Sequence, residues 1–281
     1  MAGELPVDCH VHSEWSWDAP EGSLDGACAR AVETGLPGIV FTEHADLTAW
    51  FMPDHLHDRL PPTFTARLGD DGVVRPPELD VEAHAAAVAA VRQRYPGLDV
   101  RVGVEVSEPH RHPRAVADLR ERGRFDLLLG AVHAVDVDGH PQMIESLFAV
   151  EDAGTVLRRY LREVLAMVTG TAEFDVLAHI DYPVRSWPAD AEPFDPHRFA
   201  DAFLPVLRAL AESGRSLEIN TKRPLDLMLL DRWRDAGGPS VTFGSDAHEP
   251  GQVGRHFTDI ARHAATLGYT PADDGIRWHL R

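Results

Sequence analysis

The sequence predicts an α/β fold, a parallel (β/α) barrel of seven units, and three observations predict it. Short runs rich in β-branched and apolar residues alternate with amphipathic stretches from end to end. Seven such pairs follow one another, and 281 residues with 44% hydrophobic content can bury one large core. Length alone would also allow two smaller domains. The alternation is broken by no low-complexity linker and no internal repeat, so one domain over residues 1–281 is expected.

The first strand is expected over 6–12 (PVDCHVH), with a helix near 22–35 whose apolar positions recur at three- and four-residue spacing. The second strand, 38–43 (GIVFTE), is followed by 50–79, a stretch rich in Pro, Gly and charge with no clear period. A loop of that length in a compact domain is either a lid over one end of the barrel or a surface insertion. A helix near 80–95 then leads to the strand 100–106 (VRVGVEV), in which Val102, Val104 and Val106 form the face expected to pack on helices. The later strands are 126–132 (DLLLGAV), 174–180 (FDVLAHI), 216–220 (SLEIN) and 240–245 (SVTFGS). The helices between and after them lie near 112–123, 151–170, 195–213, 224–237 and 252–266.

A formal net charge of −18 repels polyanions and argues against a nucleic-acid-coating protein. A small anionic substrate remains compatible, because clustered divalent cations reverse the potential inside one pocket. No uninterrupted apolar run is long enough for a membrane span, and no basic segment precedes an apolar run at the N-terminus. A cytoplasmic protein is expected. Cys9 and Cys28 read as packing residues in a strand and a helix, in a reducing compartment.

Alternate strand residues share a face, so His10 and His12 point one way while Cys9 and Val11 point to the helices. Alone, such a pair is equally consistent with hydrogen-bonded or solvent-facing histidines. Most other strands, however, end in or just before a metal-type ligand: His44, Glu105, His133, His179, and Asp246 with His248. Glu105 shares its face with Gly103 and Arg101, and His179 alternates with Ala178 and Ile180. In a parallel barrel all C-terminal strand ends meet at one mouth, where these residues become neighbours. Imidazole and carboxylate together suit zinc, manganese or iron. Six histidines and two acids exceed the needs of one tetrahedral ion, which implies a polynuclear centre bridged by Glu105 and Asp246. The remaining histidines read as surface or loop residues, with His84, His197 and His263 on solvated helix faces. His110 and His112 lie in a loop close enough to the mouth to be weaker substrate contacts.

The segments "VDCHVHSEWSWDA", "GIVFTEH", "VGVEVSE", "LLLGAVHAVD", "VLAHID" and "FGSDAHEPGQVGRHF" resemble, in order, the motifs of the PHP (polymerase and histidinol phosphatase) superfamily. Within it, "RYPGLDVRVGVEV", "GAVH" and "LEINT" followed by "GSDAH" are most similar to the monofunctional histidinol-phosphate phosphatases. The resemblance implies a distorted, TIM-like seven-stranded barrel holding three divalent ions (Zn, Mn or Fe) at the C-terminal ends of its strands. By motif, one ion takes His10, His12, Glu105 and Asp246, a second Glu105, His133 and His179, and a third Asp18, His44 and His248. Asp18 completes an otherwise two-histidine site; the alternative is a loop residue capping the helix at 22.

Ions so placed lower the pKa of a shared water and polarise phosphoryl oxygens, so the expected reaction is hydrolysis of a small phosphorylated substrate, L-histidinol phosphate above others. The leaving alcohol would take its proton from a metal-bound water or from Asp246 or His248. Arg185 and the pair Lys222–Arg223 follow strand ends and are either phosphate contacts or surface charges. The chain reads "EINTKRPLD" where those phosphatases continue "EINTSGLRK". Glu43, Asp181 and Glu108 are candidate partners for the substrate amine. Three rival readings stand beside this one. They are a PHP phosphoesterase acting on a nucleotide, a deaminase of the amidohydrolase type, and a non-catalytic metal-binding module. The deaminase reading fits poorly because Lys222, the single lysine, follows His179 rather than preceding the late histidines.

Overall fold

Seven short parallel strands close on themselves. β1 (Asp8–Val11), β2 (Gly38–Asp46), β3 (Asp99–Ser107), β4 (Leu127–Ala131), β5 (Val176–Leu177), β6 (Ser216–Asn220) and β7 (Ser240–Gly244) lie side by side in chain order, and Asp8 of β1 pairs back with Phe243 of β7. The computed structural model describes residues 5–281, so residues 1–4 of the expected domain lie outside the described residues. The helices α1 (Leu24–Thr34), α2 (Val81–Arg94), α3 (Pro113–Gly123), α4 (Ala153–Thr169), α5 (Ala200–Glu212), α6 (Leu227–Asp235) and α7 (Phe257–Thr266) return the chain between strands. Four of them start on a side-chain cap: Ser23, Asp80, Asp152 and Asp226 accept the N–H of Gly26, Ala83, Thr155 and Met228.

Two apolar layers hold the barrel. Ile39, Phe41, Val104, Val106, Leu128, Ile219 and Phe243 face outward and pack with helix residues such as Ala31, Val88, Leu161 and Phe203. Inside, Val7, Cys9, Val40, Leu127, Leu129, Ala131, Val176 and Ala178 fill the lower barrel with Ile276, which the C-terminal segment inserts. Cys9 therefore does not face the helices as strict alternation predicts. Between Asp8 and Val11 the pairing with β2 shifts register, since Asp8 matches Ile39 and Val11 matches Phe41, and the extra residue turns both Cys9 and His10 inward. His179 departs from alternation too. Its φ of 20° follows a β5 that ends at Leu177, so Ala178 and His179 both turn inward while Ile180 joins the outer layer.

Three additions join the barrel; the sequence marked the first, 50–79, as an insertion but not its internal structure, and did not foresee the other two. Within 50–79, Trp50–Phe51 pairs antiparallel with Val73–Val74, and a short helix, Pro62–Thr65, lies between them. A hairpin of Ala134–Val137 and His140–Met143 follows β4. Trp50, Met52, Val74 and Ala134 tie the first to the second in a small core of their own. The third addition, Tyr269–Pro271 with Trp278–Leu280, extends the sheet antiparallel at β7. Among the described residues, no helix is long and apolar enough to cross a membrane.

Candidate metal centre

The long pairing of β2 with β3 places His44 directly beside Glu105, and the barrel's closure brings the ends of β1 and β7 to the same point. Glu105 lies at the centre. Its Oε2 is 3.2 Å from His10 Nε2, 3.5 Å from His12 Nε2 and 3.1 Å from His44 Nδ1. Its Oε1 is 2.7 Å from His179 Nε2 and 3.4 Å from His133 Nε2. The two oxygens of one carboxylate thus address two separate groups of imidazoles. Asp246 Oδ1 lies 3.6 Å from His12 Nε2 and 3.9 Å from His10 Nε2. Asp18 Oδ2 lies between His44 Nε2 at 3.3 Å and His248 Nε2 at 3.2 Å. Asp18 does not cap α1; Ser23 does, with Glu14 accepting the Leu24 N–H.

Three of the histidines are held in the tautomer that frees Nε2. His10 Nδ1 donates to Glu218 Oε1 at 2.6 Å. Ser16 gives its hydroxyl proton to Glu43 Oε2 at 2.6 Å and so accepts from His12 Nδ1 at 3.0 Å. Ser107 donates likewise to Asp46 and accepts from His133 Nδ1 at 2.8 Å. In their neutral forms His10 and His12 therefore turn Nε2 lone pairs toward each other at 3.1 Å. That arrangement suits a shared cation, which would replace the proton that Glu218, Glu105 and Asp246 otherwise draw onto His10 against burial.

The electrostatics agree. Burial pushes the Glu105 carboxyl up, but His10, His44 and His133 outweigh it and hold the group well below the usual range. Asp246 is held low against burial by Arg185, Lys222 and His10, and Asp18 against burial by His44 and His248. His12 is pushed down to about 3 by burial and by the neighbouring imidazoles His44 and His248, and burial takes His179 down to about 4. The imidazoles divide: His12 and His179 stay neutral, whereas the carboxylates beside His10, His44 and His133 draw protons onto them against burial, His44 up to about 9. Ionised carboxylates with imidazoles whose protons a cation would displace are the donor set of divalent ions. Asp18 Oδ1 and His179 Nδ1 are buried without a hydrogen-bond partner. Metal-compatible groups recur around the pocket: His10 with His12 and Glu105, Glu105 with His133 and His179, and His12 with His44 and His248.

Arg185 and Lys222 reach this pocket. Arg185 Nη2 is 2.6 Å from Asp246 Oδ2 and donates to Asn220 Oδ1 at 3.0 Å, with its guanidinium 5.1 Å from the Tyr182 ring centre. Lys222 Nζ is 3.2 Å from Asp246 Oδ1. Arg223, expected beside them, turns away because Nη1 donates to Val184 O at 2.7 Å. Glu43, Glu108 and Asp181 are buried and none lines the pocket. Glu43 is consumed by Ser13, Ser16 and the backbone N–H of Ser13, and Glu108 accepts the N–H groups of His133 and Ala134. His84 is no solvated residue but fully buried, 3.5 Å from Glu43. His110 pairs with Glu163 and His112 with Thr48, away from the pocket.

Glu218, Asp46, Ser16 and Ser107 were missed from sequence. Glu218 and Ser107 carried a usable signal: each alternates with outward apolar residues, Leu217 and Ile219 or Val104 and Val106, and so faces inward on its strand. Asp46 carried it too, two residues beyond His44 on the same face of β2 and paired with Ser107, although the strand was expected to end at Glu43; Ser16 lies in the loop after β1, and nothing local marks it.

The family model described as "PHP domain" matches residues 8–222. A "probable histidinol-phosphatase" of Deinococcus radiodurans is 27% identical over 274 residues, 93% of either chain. A "histidinol-phosphatase" of Lactococcus lactis is 24% identical over 250 residues, 86% of this chain and 84% of the relative. A crystal structure of histidinol phosphate phosphatase from Lactococcus lactis, complexed with zinc, L-histidinol and phosphate, superposes with a TM-score of 0.75 at 20% identity, covering 94% of each chain. At that identity the superposition speaks for the fold.

Proposed function

Since the chain belongs to the PHP domain family, we propose that it is a metal-dependent phosphomonoesterase that hydrolyses L-histidinol phosphate to L-histidinol and phosphate. The observation that carries this reading is the division of Glu105 between two imidazole groups, with Arg185 and Lys222 in the same cavity. Three ions would be held by His10, His12, Glu105 and Asp246, by Glu105, His133 and His179, and by Asp18, His44 and His248. Zinc, manganese and iron all suit these donors. When bound, such ions lower the pKa of water and polarise phosphoryl oxygens.

The chain's own residues do the rest. Glu105 and Asp246 spread negative charge between imidazoles whose tautomers Glu218, Ser16 and Ser107 fix. Arg185 and Lys222 place positive charge at the pocket wall, where a guanidinium and an ammonium orient an incoming phosphate. Asp246 is a poor proton donor for the leaving alcohol, since Arg185 and Lys222 keep it ionised against the effect of burial.

The segment 50–79 acts as a lid, since Trp50 and Phe64 line the cavity. Two buried free cysteines fit a protein of the reducing cytoplasm. The net charge of −18 disfavours nucleic acid as a partner. Phosphate release from L-histidinol phosphate and from a nucleotide panel, with Zn, Mn or Fe supplied, tests the reading. High activity on nucleotides with none on L-histidinol phosphate would overturn it.

A further inference from the structure

The cavity over the candidate metal centre has two unlike walls. Arg185, Lys222, Asp246 and His248 come from the loops after β5, β6 and β7 and carry the charge, with one aromatic ring, Tyr182, beneath the Arg185 guanidinium. Trp17, Trp50, Phe64 and Met143 come from the loops after β1, β2 and β4, and carry an aromatic and thioether surface. In the strand order β1 to β7 around the closed barrel, β2 stands across from β5 and β6. The metal-type residues lie between.

The aromatic wall is built. The Trp17 and Phe64 ring centres are 4.7 Å apart, those of Trp17 and Trp50 6.0 Å, and those of Trp50 and Phe64 6.1 Å with planes 21° from parallel. Trp17 is anchored to the centre itself, because its Nε1 donates to Asp46 Oδ2 at 2.8 Å. Trp50 is 1% exposed, packed with Met52, Val74 and Ala134, and its indole N–H is buried without a partner. A fully buried indole usually finds an acceptor. Half-buried Phe64 rides on the short helix of the 50–79 segment and presents the edge of this cluster to the cavity.

Resting on the reading that the centre cleaves a phosphate monoester, we propose that Trp17, Trp50, Phe64 and Met143 form the subsite for the leaving alcohol, and that this wall selects a flat, ring-bearing alcohol. The phosphoryl group lies toward Arg185 and Lys222, and the ring of the alcohol packs on the opposite wall. Aromatic faces favour a ring, and favour it more when it carries positive charge, as an imidazole near neutral pH does in part. An aliphatic alcohol of similar length forgoes that contact.

The test compares ratios. Phosphate release from L-histidinol phosphate, phenyl phosphate and glycerol phosphate is measured with the metal-replete chain and its Phe64→Ala, Phe64→Leu and Phe64→Tyr variants. Comparing each variant with wild type on the same ester cancels differences in leaving-group chemistry. Phe64→Ala and Phe64→Leu are expected to lower kcat/KM for the ring-bearing esters about tenfold, mainly through KM, which is the scale of a stacking contact. Glycerol phosphate should change less than about twofold, and Phe64→Tyr should restore the ring-bearing esters. Equal losses on all three esters, or no loss on any, would overturn the subsite. If phenyl phosphate shows the split while L-histidinol phosphate is not cleaved, the wall stands and the substrate assignment falls. If the metal-replete chain cleaves no ester, both fall.

Discussion

Glu218 makes no approach to the cavity, yet it governs His10: one carboxylate oxygen takes the Nδ1 proton and the other takes the backbone N–H of His179. Glu218→Gln keeps the shape and loses the charge that fixes the tautomer, so the account predicts weaker metal retention, about 10–100-fold in affinity, the range for partners of metal-bound histidines. Competition against a graded chelator, read by elemental analysis, measures it; unchanged retention would show that Glu218 is only a packing residue. Arg185→Lys should lower kcat/KM by about tenfold or more, because a compact ammonium cannot keep both Asp246 and a phosphate oxygen. Arg223→Gln should leave kcat/KM within about twofold, since its guanidinium is spent on Val184 O. His10, His12, His44, Glu105, His133, His179 and Asp246 were legible because each stands at or just beyond a strand end, where position along the chain and side of the sheet are both readable; Asp18, in the loop after β1, was reached only through the family resemblance. Arg223 was not separable from Lys222 by that rule. A loop's two neighbours diverge according to local backbone bonds, which sequence does not show.

At the scale of elements, seven strands and seven helices were legible from period and caps, and β5 was the weakest. Only Val176 and Leu177 keep ladder geometry before the chain turns inward at His179. The misplacement of Cys9 has the same origin, a register shift that alternation cannot anticipate. His84 lies on a helix whose polar look hid a fully buried side chain beside Glu43. Two glycines report how tightly strands meet behind the centre. A Cβ on Gly244 would strike Glu218 Oε1 and lie 2.6 Å from His10 Cβ, so only glycine lets that carboxylate reach its histidine. A Cβ on Gly103 would lie 2.7 Å from Thr42 Cγ2 and 3.0 Å from Leu127 O, inside the barrel. Gly103→Ala is predicted to destabilise by about 1–3 kcal/mol as overpacking, read as a lower denaturant midpoint at unchanged slope. A neutral result would mean that β2 and β3 yield freely at this point.

The whole molecule gathers the proposed metal ligands from β1, β2, β3, β4, β5 and β7 onto one mouth, so a filled centre would tie nearly every unit of the barrel to the others. Bound ions stabilise the folded chain alone. At about 100 times its Kd each ion contributes about 2.7 kcal/mol. A domain of this size shifts by roughly 2–4 °C per kcal/mol, so stripping the ions should lower the Tm by at least about 5 °C. Adding one divalent metal should restore it, and an unchanged Tm would argue that the cluster holds no ions in the folded protein. The −18 formal charge makes this coupling plausible, since cations at the mouth relieve repulsion among buried carboxylates. The most direct test of the central claim is phosphate release from L-histidinol phosphate by the intact chain before chelation, after chelation, and after metal is returned. The account predicts turnover, its loss, and its recovery, with none of the three in His10→Ala; turnover that survives complete removal of metal, or that persists undiminished in His10→Ala, would contradict it.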